Sequence, residues 1–329
     1  MEDDLGTCPS CGLAVLPEDG FCEACGHALT DAEIAVVVAA GACTGCGAVT
    51  IDADGYCEQC GIRQPSGRDH VERELAGVSG VSDKGLRHSK NEDAMAFAVL
   101  PLPAERQAIA AVVCDGVSTS PHPEDASQAA ADAGLCVLQK ELESGADPEP
   151  ASREALTQAA AAVAALAGSA HDAPACTYVS ALVLDGAVTL AWVGDSRAYW
   201  LPGQGTGIRL TQDDSWAGQM VMLGALTEAQ AQAHRNAHML VGWLGADADA
   251  IDPHVATFTP DAPGLVVVCS DGLWNYLPEP SSIIAALPPT DDPLHLARSL
   301  VQTALDAGGH DNVTVVVIPF TPEDPPHEP

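Results

Sequence analysis

From Leu75 to about Phe320 the chain alternates short apolar runs with polar turns. Runs at Ala94–Leu100, Ala108–Cys114, Tyr178–Leu184, Val188–Val193, Leu265–Cys269 and Val313–Ile318 have strand length and strand composition. Several are apolar at every position, so both faces of their sheet require cover. Between them lie segments of helical period, Glu124–Leu142, Ser152–Ala167, Thr227–His234 and Pro293–Ala307. In the last, Leu294, Ala297, Leu300, Val301, Ala304 and Leu305 share one face, and Gly308 and Gly309 end the helix. Asp185-Gly186 joins two of the strand runs and signals a hairpin, hence antiparallel pairing. The pattern predicts an α+β fold, a central antiparallel β-sandwich with helices outside.

Outside this region the pattern fades. Residues 61–74 are polar and contain Pro, Gly and Arg, and read as a linker; 321–329, "TPEDPPHEP", reads as a disordered tail. The 329 residues have room for one substantial domain and one or two small ones. Apolar residues make up 47% and aromatics only 4%, so the core is built from Ala, Val and Leu. The formal net charge of −33 repels phosphate backbones and anionic lipid surfaces. The Ile34–Ala40 run is too short to span a bilayer, and Ala155–Ala167 reads as a packed helix. The opening "MEDDLGTCPS" carries acids where a signal peptide has basic residues, so a cytoplasmic protein with no membrane partner is expected.

Cysteine spacing adds chemistry. Cys8, Cys11, Cys22 and Cys25 form C-x2-C, ten intervening residues and a second C-x2-C. Cys43, Cys46, Cys57 and Cys60 repeat the unit 35 residues later. Gly follows the second Cys of every pair, which suits a tight knuckle aiming two thiolates at one ion. Four thiolates at this spacing suit tetrahedral zinc, two ions in all; a disulfide framework is the alternative, disfavoured without a secretion signal. Residues 1–60 resemble a double zinc ribbon. Residues 1–62 contain eleven acids and no Lys or Arg, which excludes nucleic acid as a partner. Protein docking is the expected role, with a zinc-stapled knob as the plainer reading. Cys114, Cys136, Cys176 and Cys269 are isolated and read as small buried hydrophobes.

Four acids stand at the ends of core-forming runs. Asp93 precedes one, Asp115 closes "AIAAVVC", Asp271 closes "LVVVCS", and Asp311 precedes "NVTVVVI". Each alone reads more readily as a turn residue than as a ligand. Converging at one end of a sandwich they would repel one another, and divalent cations would remove that cost. Oxygen ligands favour Mg²⁺ or Mn²⁺, and two such ions activate water for attack on phosphorus.

Here the chain resembles a known family, the type 2C metal-dependent protein serine/threonine phosphatases. The motifs run in family order: "GLRHSKNEDAM" (85–95), "VVCDG" (112–116), "VGDSRAY" (193–199), "LTQDDSW" (210–216), "WLGAD" (243–247), "VVVCSDGLWN" (266–275) and "GGHDNVTVVVI" (308–318). The resemblance covers 75–320 and implies hydrolysis of phosphoserine and phosphothreonine in the protein targets of serine/threonine kinases. It implies in-line attack by a metal-bridging hydroxide with no covalent phospho-enzyme. By position Asp93, Asp115, Asp271 and Asp311 are the implied metal-binding acids, the Gly116 carbonyl a further ligand and Glu92 a water-mediated one. The "GDSR" turn reads as structural.

Three departures from the family pattern stand out. Val117 to Ser120 replace small glycines, and no histidine stands at Val117, so solvent would protonate the leaving group. His88 occupies the slot of a phosphate-binding Arg, with Arg87 one residue earlier, and either side chain could contact phosphate. Asp172, in "HDAPACTYVSAL", lies near where relatives place an acid for a weaker third metal, with a turn Asp as the alternative. With the four principal acids intact an active enzyme is expected; the competing expectation is a zinc-ribbon docking protein with a weakly active or inactive phosphatase-like domain.

Overall fold

Strands that are apolar at every position fold only where both faces are covered, and this chain provides that cover twice. The computed structural model describes residues 6–7, 14–15, 46, 49–50, 56–62, 64, 66–169, 172–248 and 251–322. They fall into two units, Met1–Ser66 and Gly67–Pro329. In the first, β1 (Gly6–Thr7) pairs antiparallel with β2 (Ala14–Val15). Cys8, Cys11, Cys22, Cys25, Cys43, the Ile34–Ala40 run and the tail beyond 322 lie outside the described residues.

The second unit begins with β3 (His70–Leu75), β4 (Val78–Asp83), β5 (Ala94–Pro101), β6 (Gln107–Cys114), α1 (Pro123–Glu143) and α2 (Pro148–Ala165). Next come β7 (Ala175–Cys176), β8 (Tyr178–Leu184), β9 (Ala187–Val193), β10 (Arg197–Pro202), β11 (Ile208–Arg209), α3 (Trp216–Met222), α4 (Glu228–Gln232) and β12 (Leu244–Gly245). The unit ends with β13 (His254–Phe258), β14 (Gly264–Cys269), α5 (Asp271–Trp274), α6 (Pro280–Ala286), α7 (Pro293–Asp306) and β15 (Val313–Phe320).

Two antiparallel sheets result, a six-stranded one ordered β11-β10-β14-β15-β4-β3 and a five-stranded one ordered β13-β9-β8-β6-β5. Alternate side chains sort into layers. Val266, Val268, Val316 and Ile318 pack with Ala111, Val113, Val179 and Leu190 between the sheets. Val267, Val315 and Val317 face the other way, onto Leu296, Leu300 and Val301 of α7. Ala110, Val112 and Cys114 meet Ala126, Ala130 and Leu138 of α1 on the outside of the second sheet. The expected sandwich with helices outside is therefore the observed architecture. Asp185 (φ 49) and Gly186 (φ 72) both adopt the left-handed region, which a two-residue hairpin joining β8 to β9 favours.

The polar stretch expected to be a linker is partly sheet: β3 starts at His70 and pairs with β4. Its polarity is that of an exposed edge strand, which carries charge where no further strand covers it. β4 itself lacks an apolar run because two of its serines are buried; Ser82 Oγ bonds Thr314 Oγ1 at 2.7 Å. The helix expected from Ser152 starts four residues earlier, at Pro148, a residue preorganised for the first turn. Cys114, Cys176 and Cys269 are buried as expected, whereas Cys136 is exposed on α1. Among the described residues no helix is long and apolar enough to cross a membrane.

Helix α1 lies close to the sheet because its contact face is small. At Gly134 a Cβ would come within 2.5 Å of the Tyr178 hydroxyl and 2.7 Å of its ring, and Tyr178 is fully buried. Helix propensity alone would favour Gly134→Ala by about 1 kcal/mol. Overpacking against a fully buried ring costs about 1–3 kcal/mol, which outweighs that gain. Gly134→Ala is expected to destabilise the protein by about 1 kcal/mol in urea unfolding; a stabilised variant would mean the ring yields.

Candidate metal centre

Each of the four sequence-predicted acids sits where a core strand ends. Asp93 leads into β5, Asp115 follows β6, Asp271 begins α5 after β14, and Asp311 precedes β15. Neighbouring polar groups fix them. Ser270 Oγ donates to Asp93 Oδ2 at 2.7 Å and accepts from the Thr314 N–H at 3.0 Å. The Asp115 N–H donates to Thr177 Oγ1 at 3.0 Å, and the Thr177 N–H donates back to the Asp115 carbonyl at 2.8 Å. Asn275 Nδ2 donates to Asp271 Oδ2 at 3.1 Å.

The carboxyl groups oppose one another's ionisation. Burial pushes Asp93 up to about 7 against hydrogen bonds from Ser270 and Thr314, and the charges of Asp311 and Asp271 push the same way. Burial raises Asp115 well above the usual carboxylate range, assisted by the charges of Asp93, Asp271, Asp311 and Asp195. Burial and the Asp311 charge push Asp271 up to about 7, against hydrogen bonding with Asp115 and Asn275. Asp93 Oδ1 and Asp271 Oδ1 are buried without a hydrogen-bond partner. Buried carboxylate oxygens with no donor, among acids that repel one another, form a donor set suited to hard divalent cations.

The remaining candidates gather around these acids. Gly116 has no room for a side chain, since a Cβ would lie 2.7 Å from the carbonyls of Glu92 and Pro123. Its N–H donates to the Glu92 carbonyl at 3.2 Å, and Ser118 Oγ donates to the Glu92 carboxylate. His88 bridges two acids, with Nε2 3.2 Å from Asp311 and Nδ1 3.9 Å from Glu92. Arg87 is exposed beside it. Asp172 is exposed and forms a bridge with Ser169, its N–H donating to the Ser169 carbonyl at 3.0 Å. That is the turn alternative, and Asp172 is not among the acids whose charges raise Asp93, Asp115 or Asp271.

Three positions were not foreseen. Asp195 of the "GDSR" turn is buried, and burial followed by the charges of Asp271 and Asp213 raises it well above the carboxylate range. That turn carries the chain from β9 in one sheet to β10 in the other. It is anchored by Arg197, which donates to Asp213 through Nε at 2.9 Å and Nη2 at 2.6 Å and lies 3.6 Å over the Trp274 ring. Asn312 is the third: its Oδ1 accepts from the Glu92 N–H at 2.8 Å, while its Nδ2 donates to the carbonyls of Lys84 and Lys90. An Asn directly after a candidate ligand is a signal that pattern reading could have used. In the first unit, the thiols of Cys46, Cys57 and Cys60 lie within 4.8 Å of one another.

The protein phosphatase 2C profile matches residues 86–306, and the double zinc ribbon profile matches 8–61. Protein phosphatase PhpP of Streptococcus pneumoniae is 31% identical over 143 residues, 43% of this chain. That match spans just over half, 56%, of the relative's own length. The serine/threonine phosphatase Stp1 from Staphylococcus aureus superposes with a TM-score of 0.63 at 25% identity, covering 74% of this chain and 94% of that one. The catalytic domain of the serine/threonine protein phosphatase PstP, crystallised with two manganese ions, gives 0.58 at 27% identity, covering 75% and 97%.

In metal-free protein the raised carboxyls retain protons that the unfolded chain releases above about pH 4. Their contribution to folded-state stability is therefore fully present below about pH 4 and is lost as pH rises through about 7. With EDTA present, the unfolding midpoint is expected to drop by about 5 °C or more between about pH 5 and about pH 8, and Mn²⁺ to restore it. A flat EDTA profile would show that these acids are not in electrostatic conflict.

Proposed function

The chain belongs to the protein phosphatase 2C family, and on that premise we propose that it hydrolyses phosphoserine and phosphothreonine in proteins modified by serine/threonine kinases. The observation that carries this reading is the set of mutually repelling acids with two buried, unpartnered carboxylate oxygens. Asp93, Asp115, Asp271 and Asp311 would hold two Mn²⁺ or Mg²⁺ ions, with the Gly116 carbonyl as a further ligand and Glu92 reaching them through water. When bound, the ions supply Lewis-acid activation of water and neutralise charge on the phosphoryl oxygens.

The chain's own groups position the rest. Asn312 and Gly116 fix the Glu92 backbone, and Ser118 holds its carboxylate. His88 is engaged by Asp311 and Glu92, which makes it an orienting group for those acids. Exposed Arg87 is then the better phosphate contact, offering a fork of donors to two phosphoryl oxygens. Asp172 has no part in this reading, and no third metal is assigned to it.

For the first unit we propose two structural zinc ions, one on Cys8, Cys11, Cys22 and Cys25 and one on Cys43, Cys46, Cys57 and Cys60. The spacing and the gathered thiols of Cys46, Cys57 and Cys60 support the second site. Protein docking is the role assigned to this unit, and reduced thiolates suit a cytoplasmic setting.

With Mn²⁺, purified protein is expected to release phosphate from a phosphoserine peptide, and Asp271→Asn to lower kcat/KM about 100-fold or more. Arg87→Ala is expected to act mainly on KM, raising it about tenfold. Activity untouched by Asp271→Asn would place the chemistry elsewhere. Elemental analysis is expected to give about two zinc ions per chain, falling to about one in Cys57→Ser; a zinc-free first unit would overturn the ribbon assignment.

A further inference from the structure

A cavity of about 610 Å³ is bounded by Val117, Pro121, Met239, Leu240, Trp243 and Asp247. Two independent features join it to the metal centre. Val117 directly follows Asp115 and Gly116, so the loop leaving the acid cluster forms part of its wall. His238 also lines it and stacks on Trp274 at 5.8 Å, the last residue of the helix that Asp271 begins.

The walls are held in place. The Val117 N–H donates to the Ala175 carbonyl at 2.9 Å, and the Ala175 N–H to Ser120 Oγ at 3.1 Å. Opposite, the Trp216 N–H donates to the Met239 carbonyl and the Val241 N–H to the Asp214 carbonyl, both at 2.8 Å. Trp243 Nε1 donates to Asp247 Oδ1 at 3.1 Å, which fixes the indole plane. Met239 is nevertheless 52% exposed, and no Lys or Arg lines the cavity. A preformed, largely apolar recess with a few placed polar groups, walled in part by the loop that leaves Asp115, has the features of a ligand subsite.

We propose that this cavity is a substrate subsite that receives an apolar side chain within two residues of the phosphorylated serine or threonine. This rests on the phosphatase reading above. An extended peptide advances about 3.3 Å per residue, so a neighbour of the phosphoresidue is the part of a phosphoprotein that reaches a recess walled by the loop that leaves Asp115. Val117, Leu240 and Trp243 supply apolar contact, and Asp247 disfavours an acidic side chain at the same place. The departure at Val117 to Ser120 from the small glycines of related chains thereby acquires a use, since Val117 supplies a wall that glycine would not.

The test uses the full chain loaded with Mn²⁺, a small aryl phosphate, and phosphoserine peptides carrying Leu, Gly or Glu at each position from −2 to +2. At one of those positions kcat/KM is expected to be about tenfold higher for Leu than for Gly, carried by KM, and lowest for Glu. In Trp243→Ala, and separately in Val117→Gln, the Leu/Gly ratio is expected to fall towards one. Because the ratio is taken within each variant, partial loss of folded protein cancels. Aryl phosphate turnover with a ratio near one at every position would overturn the subsite and leave the phosphatase reading standing. A Leu preference unchanged in both variants would also overturn it. If neither aryl phosphate nor any peptide is hydrolysed, the phosphatase reading fails and the subsite fails with it.

Discussion

Mutual repulsion among buried carboxyl groups is the constraint on which the rest of the second unit depends. Asp93, Asp115, Asp271 and Asp195 lie where burial alone makes ionisation unfavourable, and neighbouring carboxylate charges, that of the partly exposed Asp311 among them, raise the cost further. Such a cluster survives only if the surrounding structure over-determines it. Here that determination is visible bond by bond. Ser270 ties Asp93 to the Thr314 backbone, Thr177 clasps Asp115 from both sides of its peptide unit, and Asn312 staples the loop 84–92 to the start of β15.

The sandwich provides the frame for this. Each sheet buries one face against the other and its second face under helices, so the strand ends are fixed by packing on two sides. The chain passes between the sheets several times, and at the β9–β10 turn it must leave one ladder for the other within a short span. It is here that the molecule places its buried guanidinium, paired in a fork with Asp213 and stacked on Trp274. Burial opposes the Arg197 charge, but Asp213 and Tyr199 more than offset it and hold the group protonated. Trp274 in turn donates to the Asp195 carbonyl at 2.8 Å, linking the crossover to the helix that begins with Asp271.

Much of this was legible in the sequence because the strands are unusually plain. Continuous Val and Ala runs, an Asp-Gly hairpin and an amphipathic last helix leave little ambiguity about element type. What pattern reading missed has physical causes. β3 is an edge strand whose charges answer to solvent, and β4 buries two serines, Ser82 being held by Thr314 and Asn91, so neither has an apolar signature. The acids could be named as a set, but Asp195 could not, because its sequence neighbourhood is that of an ordinary turn and its situation depends on how the two sheets meet. Likewise His88 and Arg87 were interchangeable on paper; only the contacts of His88 with Asp311 and Glu92 separate them.

The most direct measurement is anomalous diffraction from crystals soaked in Mn²⁺, which locates the ions without reference to any activity. Two anomalous peaks enclosed by Asp93, Asp115, Asp271 and Asp311 are the expected result. No peak among these four residues, or manganese bound only elsewhere on the acidic surface, would contradict the central claim that the fold assembles them to hold a pair of metal ions.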